Sequence, residues 1–271
     1  MLRLISLLAL VTLLAACNGS PTPTPEAQVD SLALITEAAN NIRAAETFRI
    51  DVNQEGPNYT IYTEYAPVLF RRATAQYVAP REMQARIRVI ALGLPIEISV
   101  YSRGADQWYS AVWTGDNWVN AAFAPGFNPE TLIAEDTGFQ SALNALIELN
   151  FVGEETLENG TPVYHIASRA QGDQVAALLA GLIEPVGDVT VDVYVHRETR
   201  FPVRFEISEF DSPYAETPEP GQAAEPVKWI IDLYDINAAP DLNVPQVEAT
   251  GEVTPEATEG VEAPSLLGNG S

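Results

Sequence analysis

The sequence predicts an α+β fold: a strongly curved antiparallel β-sheet, a half-barrel of about ten strands, with helices covering its concave face. Three observations carry this. Apolar and polar residues alternate with a period of two in run after run, the mark of antiparallel strands with one dry face. Turn signals containing Gly, Pro or Asn separate the runs. Helical spacing appears only ahead of the first run and in stretches inside the chain. A sheet so wide curls as it twists, and helices inserted mid-chain then pack across its hollow side.

Taken in order, Asp30 caps a helix that carries Leu32, Ile35, Ala39 and Ile42 on one face. Strands follow at Phe48–Val52, Tyr59–Tyr65, Phe70–Val78 and Met83–Val89, then at Ile96–Val100 after the turn Gly93-Leu94-Pro95. The aromatic strand Trp108–Trp113 lies between turns at Gly104 and Gly115. Asn128, Pro129 and Glu130 read as a helix start, with Pro at the first helical position, and Phe139, Leu143, Leu146 and Ile147 have helical spacing. Val152–Leu157 and Val163–Ala167 form a hairpin through Asn159-Gly160. Asp173 caps a helix with Val175, Leu178, Leu179, Leu182 and Ile183 on its face. Strands at Val189–Val195, Phe201–Ile207 and Lys228–Ile236 close the domain, the last after a Pro- and Glu-rich loop, Ser212–Pro226, whose length suggests mobility.

The ends read differently. Residues 1–16 have the parts of a lipoprotein signal peptide: Arg3, an apolar run from Leu4 to Leu14, and Ala15-Ala16 before Cys17. That run is too short to span a bilayer, which takes roughly 20 residues. Cys17 is the only cysteine, so there is no internal disulfide, and it stands where lipid is attached. Residues 17–29 are then a lipidated cysteine with a Pro/Thr-rich tether able to reach roughly 35 Å. Residues 30–241 are the folded domain, and residues 242–271 a disordered acidic tail. The expected location is the extracytoplasmic side of the cell membrane, held by the acyl anchor. The formal charge of −23 excludes a nucleic-acid partner, whose phosphates require a basic face.

Signals of catalysis are weak. There is no Gly-x-Ser-x-Gly nucleophile turn, no zinc spacing and no Gly-rich phosphate loop. His165 and His196 fall in or beside strands, where packing or surface roles are commoner than catalytic or metal-binding ones. Asp232 and Asp235 read as edge or surface charges. Asn18, Asn58, Asn159 and Asn269 open Asn-x-Ser/Thr triplets, which beside a bacterial signal read as turn, linker and tail residues. Trp108, Trp113 and Trp118 either face a membrane interface or sugar, or sit in the core; the core is the favoured reading. No enzyme activity and no cofactor is expected.

Local residues carry a resemblance across most of the folded region. Gly104-Ala105-Asp106-Gln107-Trp108-Tyr109 with Asn117-Trp118-Val119, the segment Asn128–Ile133, and Phe151–Thr156 through Asn159-Gly160-Thr161 to Val163–Ile166 resemble the mycobacterial lipoprotein family of LppX, LprA, LprF and LprG. The order of elements is also similar to the wider group of half-barrel lipid carriers that includes LolA. The resemblance implies an apolar cavity between sheet and helices, in a chain expected to be a monomer. It would bind a lipid or glycolipid and help transfer it across the envelope, with a membrane transporter as a partner.

Ile87, Val89, Ile96 and Ile98 from the meander, with Val191, Val193 and Phe205 from the closing strands, are the candidate lining. Leu143, Leu146, Leu178 and Leu182 are the candidate roof. The alternation alone fits a filled core equally well. A sensor or scaffold that binds a protein partner through the same fold is the alternative, and an envelope hydrolase a remote third.

Overall fold

The computed structural model describes residues 29–62, 67–124 and 126–245. Cys17, the expected signal peptide and nearly all of the expected tether and tail lie outside them. Twelve strands among the described residues form one open antiparallel sheet, against about ten expected; the pair Val119–Asn120 is the strand that the sequence reading did not place.

The chain opens with α1 (Ser31–Arg43), whose Asp30 side chain accepts hydrogen bonds from Leu32 N and Ala33 N at 3.0 and 3.1 Å. Its buried stripe is Leu34, Ile35, Ala38, Ala39 and Ile42. Leu32, expected on that face, points to solvent instead, because it falls at the margin of a stripe centred on Ile35, Ala38 and Ile42.

The meander follows as β1 (Thr47–Glu55), β2 (Thr60–Tyr62), β3 (Pro67–Val78), β4 (Glu82–Ala91), β5 (Leu94–Arg103), β6 (Asp106–Ala111) and β7 (Val119–Asn120). The mid-chain helices are shorter than their periodicity suggests. Asn128 caps only a 3-10 turn, Pro129–Leu132, and α2 spans Phe139–Asn144. Ile147, expected at the end of that helix, instead begins β8 (Ile147–Thr156) and is exposed.

β8 and β9 (Pro162–Gln171) form the predicted hairpin, with Gly160 at φ 87°, where a side chain is disfavoured. Next come α3 (Gly172–Val175) and a 3-10 turn, Ala176–Leu179. The longer helix expected here ends at Ala180 and Gly181, both with positive φ. β10 (Asp188–His196), β11 (Pro202–Glu209) and β12 (Val227–Tyr234) close the fold.

Along the sheet the order is β7-β6-β5-β4-β3-β1-β12-β11-β10-β9-β8. β12 is therefore a central strand, paired with β1 and β11, so Asp232 is not an edge residue. One free edge is the two-residue β7. The other, β8, is broken by two register shifts and carries Glu148, Glu154 and Glu155, features that discourage edge-to-edge pairing.

The Ser212–Pro226 loop is tied down. Tyr59 bridges Ala215, Thr60 N donates to Tyr214 O at 2.9 Å, and Glu216 N donates to Asn58 O at 2.8 Å. Beyond β12 the chain crosses the ends of β3 and β4. Gln84 and Asn243 exchange hydrogen bonds of 2.8 and 3.1 Å there, two residues past the expected boundary at residue 241.

Candidate functional site

Two halves of the space between sheet and helices differ. Under α1 and α2 it is filled. Phe139 is fully buried, edge-on to Phe48 at 5.8 Å and stacked on Phe205 at 6.2 Å. Beneath the Ala176–Leu179 turn a hollow of about 50 Å³ remains. Its floor is Ile50 and Val52 of β1, Phe70, Ala73 and Ala75 of β3, and Met83, Ala85 and Ile87 of β4. Leu178 to Ala180, Leu182 and Ile183 roof it. Every one of these side chains is apolar.

The hollow has a local cause. Ala75 pairs directly with Ala85 across β3 and β4, and Ala73 pairs with Ile87. Where the closing strands bring Val, Ile, Phe and Trp inward, these two bring alanine, and the missing methylenes leave the space. Leu182 is both on the wall and 40% exposed, so it stands between the hollow and solvent.

Of the residues expected at a cavity, Ile87, Leu178 and Leu182 stand on this wall. Val89, Ile98, Leu143, Leu146, Val191, Val193 and Phe205 are buried in the packed core, and Ile96 is partly buried against it. The alternation signal selects the inward face but not where that face lacks volume. The inward alanines were the readable sign of the gap.

The roof is pinned at two points. Gly172 N donates to Gly187 O at 2.8 Å, and Val186 N donates to Glu209 Oε1 at 2.9 Å. Glu209 is fully buried; its Oε2 and the Nε1 of the fully buried Trp229 have no hydrogen-bond partner among the described residues. Tyr59 lies edge-on to Trp229 at 4.9 Å. Burial, with the Glu209 charge nearby, pushes its hydroxyl pKa well up. This polar end adjoins the hollow through Phe70, whose ring lies 5.4 Å from Trp229.

The tryptophans favoured for the core are not there. Trp108 shares β6 with Tyr109 and Ala111, but its odd–even parity puts it on the outer face, against Tyr101 at 5.6 Å. Trp113 is 56% exposed in the 3-10 turn Val112–Thr114, and Trp118 is half-buried.

On the outer face, His165 lies between two carboxylates. Nδ1 is 2.8 Å from Glu155 and Nε2 is 2.8 Å from Asp192, with the ring stacked on Tyr194 at 4.4 Å. Burial opposes the imidazolium, but the hydrogen bonds to Asp192 and Glu155 outweigh it and raise the pKa. His196 does not meet His165; its Nδ1 accepts from Glu198 N and Thr199 N in the β10–β11 turn. Among the described residues no group of three His, Cys, Asp or Glu side chains could hold a metal ion, and no helix is long and apolar enough to cross a membrane.

Comparison with known proteins places the chain. The model of the LppX_LprAFG lipoprotein family matches residues 30–217, most of the folded region. The chain belongs to this family. Its fold is similar to the crystal structure of LprF from Mycobacterium bovis, with a TM-score of 0.55 and 10% identity over 79% of this chain and 96% of that one. It is similar also to LppX from Mycobacterium tuberculosis, with a TM-score of 0.50 and 14% identity over 78% of this chain and 97% of that one. No curated protein matches this sequence. As in those family members, the architecture is an open curved antiparallel sheet with few helices. The sequence resemblance pointed to this family, and the family match and both folds agree with it.

Proposed function

We propose that this protein is a lipid carrier, tethered through acylated Cys17 on the extracytoplasmic side of a membrane, that shelters a lipid's hydrocarbon chain in the hollow under the Leu178–Ile183 roof. The observation that carries this reading is a wall without a single polar side chain, with Leu182 standing between it and solvent. A sixteen-carbon chain leaving water is worth roughly 12 kcal/mol, so a lipid crossing an aqueous gap requires such a shelter.

At about 50 Å³ the hollow is below the roughly 300 Å³ at which ligand pockets begin. This is the closed state, and a chain enters as the roof lifts. The roof suits that motion. It is a single 3-10 turn followed by Ala180 and Gly181 at positive φ, not a long helix locked by interdigitation. Glycolipid is the favoured ligand class: the buried polar end at Glu209, Trp229 and Tyr59 offers hydrogen bonds to hydroxyl groups, and a carboxylate there disfavours a phosphate.

Organic extraction of the purified protein tests the reading. One lipid released per protein molecule supports it. A dry extract from protein prepared out of its native membrane, together with no uptake of a fluorescent fatty acid, overturns it.

A further inference from the structure

Strand register divides the sheet into two ends, and large apolar side chains left in solvent gather at one of them. The turn joining β4 to β5 carries Leu92, 90% exposed, and Leu94. Ala111 pairs with Ile98, so the turn that follows brings Val112 and Trp113 to the same end. β3 begins there, with Val68 opposite Ala91, and exposed Tyr62 pairs with its first residue. β11 ends there at Glu209, followed by exposed Phe210, and the roof contributes exposed Leu182 and Val186. At the other end, the turns following β3, β5, β8 and β10 carry none of the large exposed apolar side chains, and only Tyr234 at the close of β12 and Val244 beyond it stand exposed there among the described residues.

We infer that this end is a docking surface for the interface of a lipid bilayer. The apolar groups stand on separate turn tips, a form that inserts between headgroups rather than matching a flat protein surface. Trp113, Tyr62 and the nearby Tyr214 are of the amphipathic types that favour the headgroup layer. The surface adjoins the hollow, because Leu182 belongs both to it and to the hollow's wall. A second copy of the chain is a poor occupant, since each carries a formal charge of −23. The same charge selects a zwitterionic surface over an anionic one. The docking holds whether or not the hollow ever takes a ligand.

The test is tryptophan quenching of the full-length chain on phosphatidylcholine vesicles with brominated acyl chains. Residues 1–28 contain no tryptophan, so binding by the N-terminus alone gives no quenching. Docking predicts quenching that falls at least threefold in Trp113→Phe and in the double variant Leu92→Ser/Leu94→Ser. Vesicle-bound chain without quenching, or quenching indifferent to both changes, overturns the inference. A concentration-dependent dimer that shields Trp113 while quenching is absent assigns the surface to a second copy instead.

Discussion

Asp51 on β1 and Asp232 on β12 are directly opposite each other in the register, two carboxylates at the centre of the sheet's outer face. Like charges so placed destabilise a strand pair. Each is claimed by an arginine on its far side. Arg72 of β3 donates through Nε to Asp51 at 2.8 Å, and Arg204 of β11 binds both Asp232 oxygens at 2.6 and 3.3 Å. The row Arg72–Asp51–Asp232–Arg204 therefore crosses four adjacent strands, β3, β1, β12 and β11, where the chain's last strand joins its first.

Arg204 is the more critical member, because its side chain is only 16% exposed and also reaches Glu158 at 3.0 Å. Arg204→Met leaves Asp232 facing Asp51 unneutralised and is expected to cost about 2–3 kcal/mol, between a surface pair and a fully buried one. Adding Asp232→Asn recovers more than half. Urea unfolding of the two variants measures this; losses that simply add would show that the row is not coupled.

His165 gives the stability a pH dependence. Its pKa is raised in the folded state, so its contribution is fully present below the unfolded value of about 6.5 and is lost as pH rises through the folded value. Thermal melts of the wild type and His165→Gln should differ most near pH 6 and converge in alkaline buffer. The expected gap is about 1–2 kcal/mol, as for a part-exposed hydrogen bond to a charged group. A gap that widens with pH would refute the assignment.

Much of this was legible in the sequence, for identifiable reasons. Val189, Val191, Val193 and Val195 alternate so strictly that β10 could be placed to within a residue, and Asn159-Gly160 fixed the hairpin of β8 and β9. Helix lengths were not legible. The periodicity from Val175 to Ile183 persists through a 3-10 turn and two left-handed residues, because a compact turn also brings spaced leucines to one side. Trp229, the fully buried tryptophan, sits in a run whose alternation reads equally well for Val227, Ile231 and Leu233. The candidate site was half visible: the inward face could be read, but volume depends on which side chains meet, and that required the register of Ala75 with Ala85.

The filled half of the interior should behave as a conventional core. Phe139→Ala removes a ring held between Phe48 and Phe205 and is expected to cost about 3–5 kcal/mol. Chemical denaturation measures it, and a loss below about 1 kcal/mol would mean that α2 is loosely seated.

The hollow half should respond in the opposite sense. Ala75→Leu and Ala85→Leu extend side chains into existing space, so each should be neutral or stabilising, up to about 1 kcal/mol. Both should reduce recovered lipid, because the chain's place is taken. Unchanged lipid in folded variants would move the ligand elsewhere.

Roof motion can be separated from cavity volume at Gly172. A Cβ there would fall 2.1 Å from Pro185 O, a backbone atom that cannot swing aside as a side chain can. Gly172→Ala must therefore push the Pro185–Gly187 segment outward, weakening the bond from Gly172 N to Gly187 O that pins the roof. Forced overpacking of this kind costs about 1–3 kcal/mol of stability. If the roof is the gate, the same change speeds exchange of a fluorescent fatty acid several-fold, because the closed state is the one penalised. Phe139→Ala, although it costs more stability, leaves the roof's pins intact and should not accelerate exchange. Equal acceleration in both variants would mean that ligand passes through global loosening, and the Leu178–Gly187 segment would lose its role as a gate.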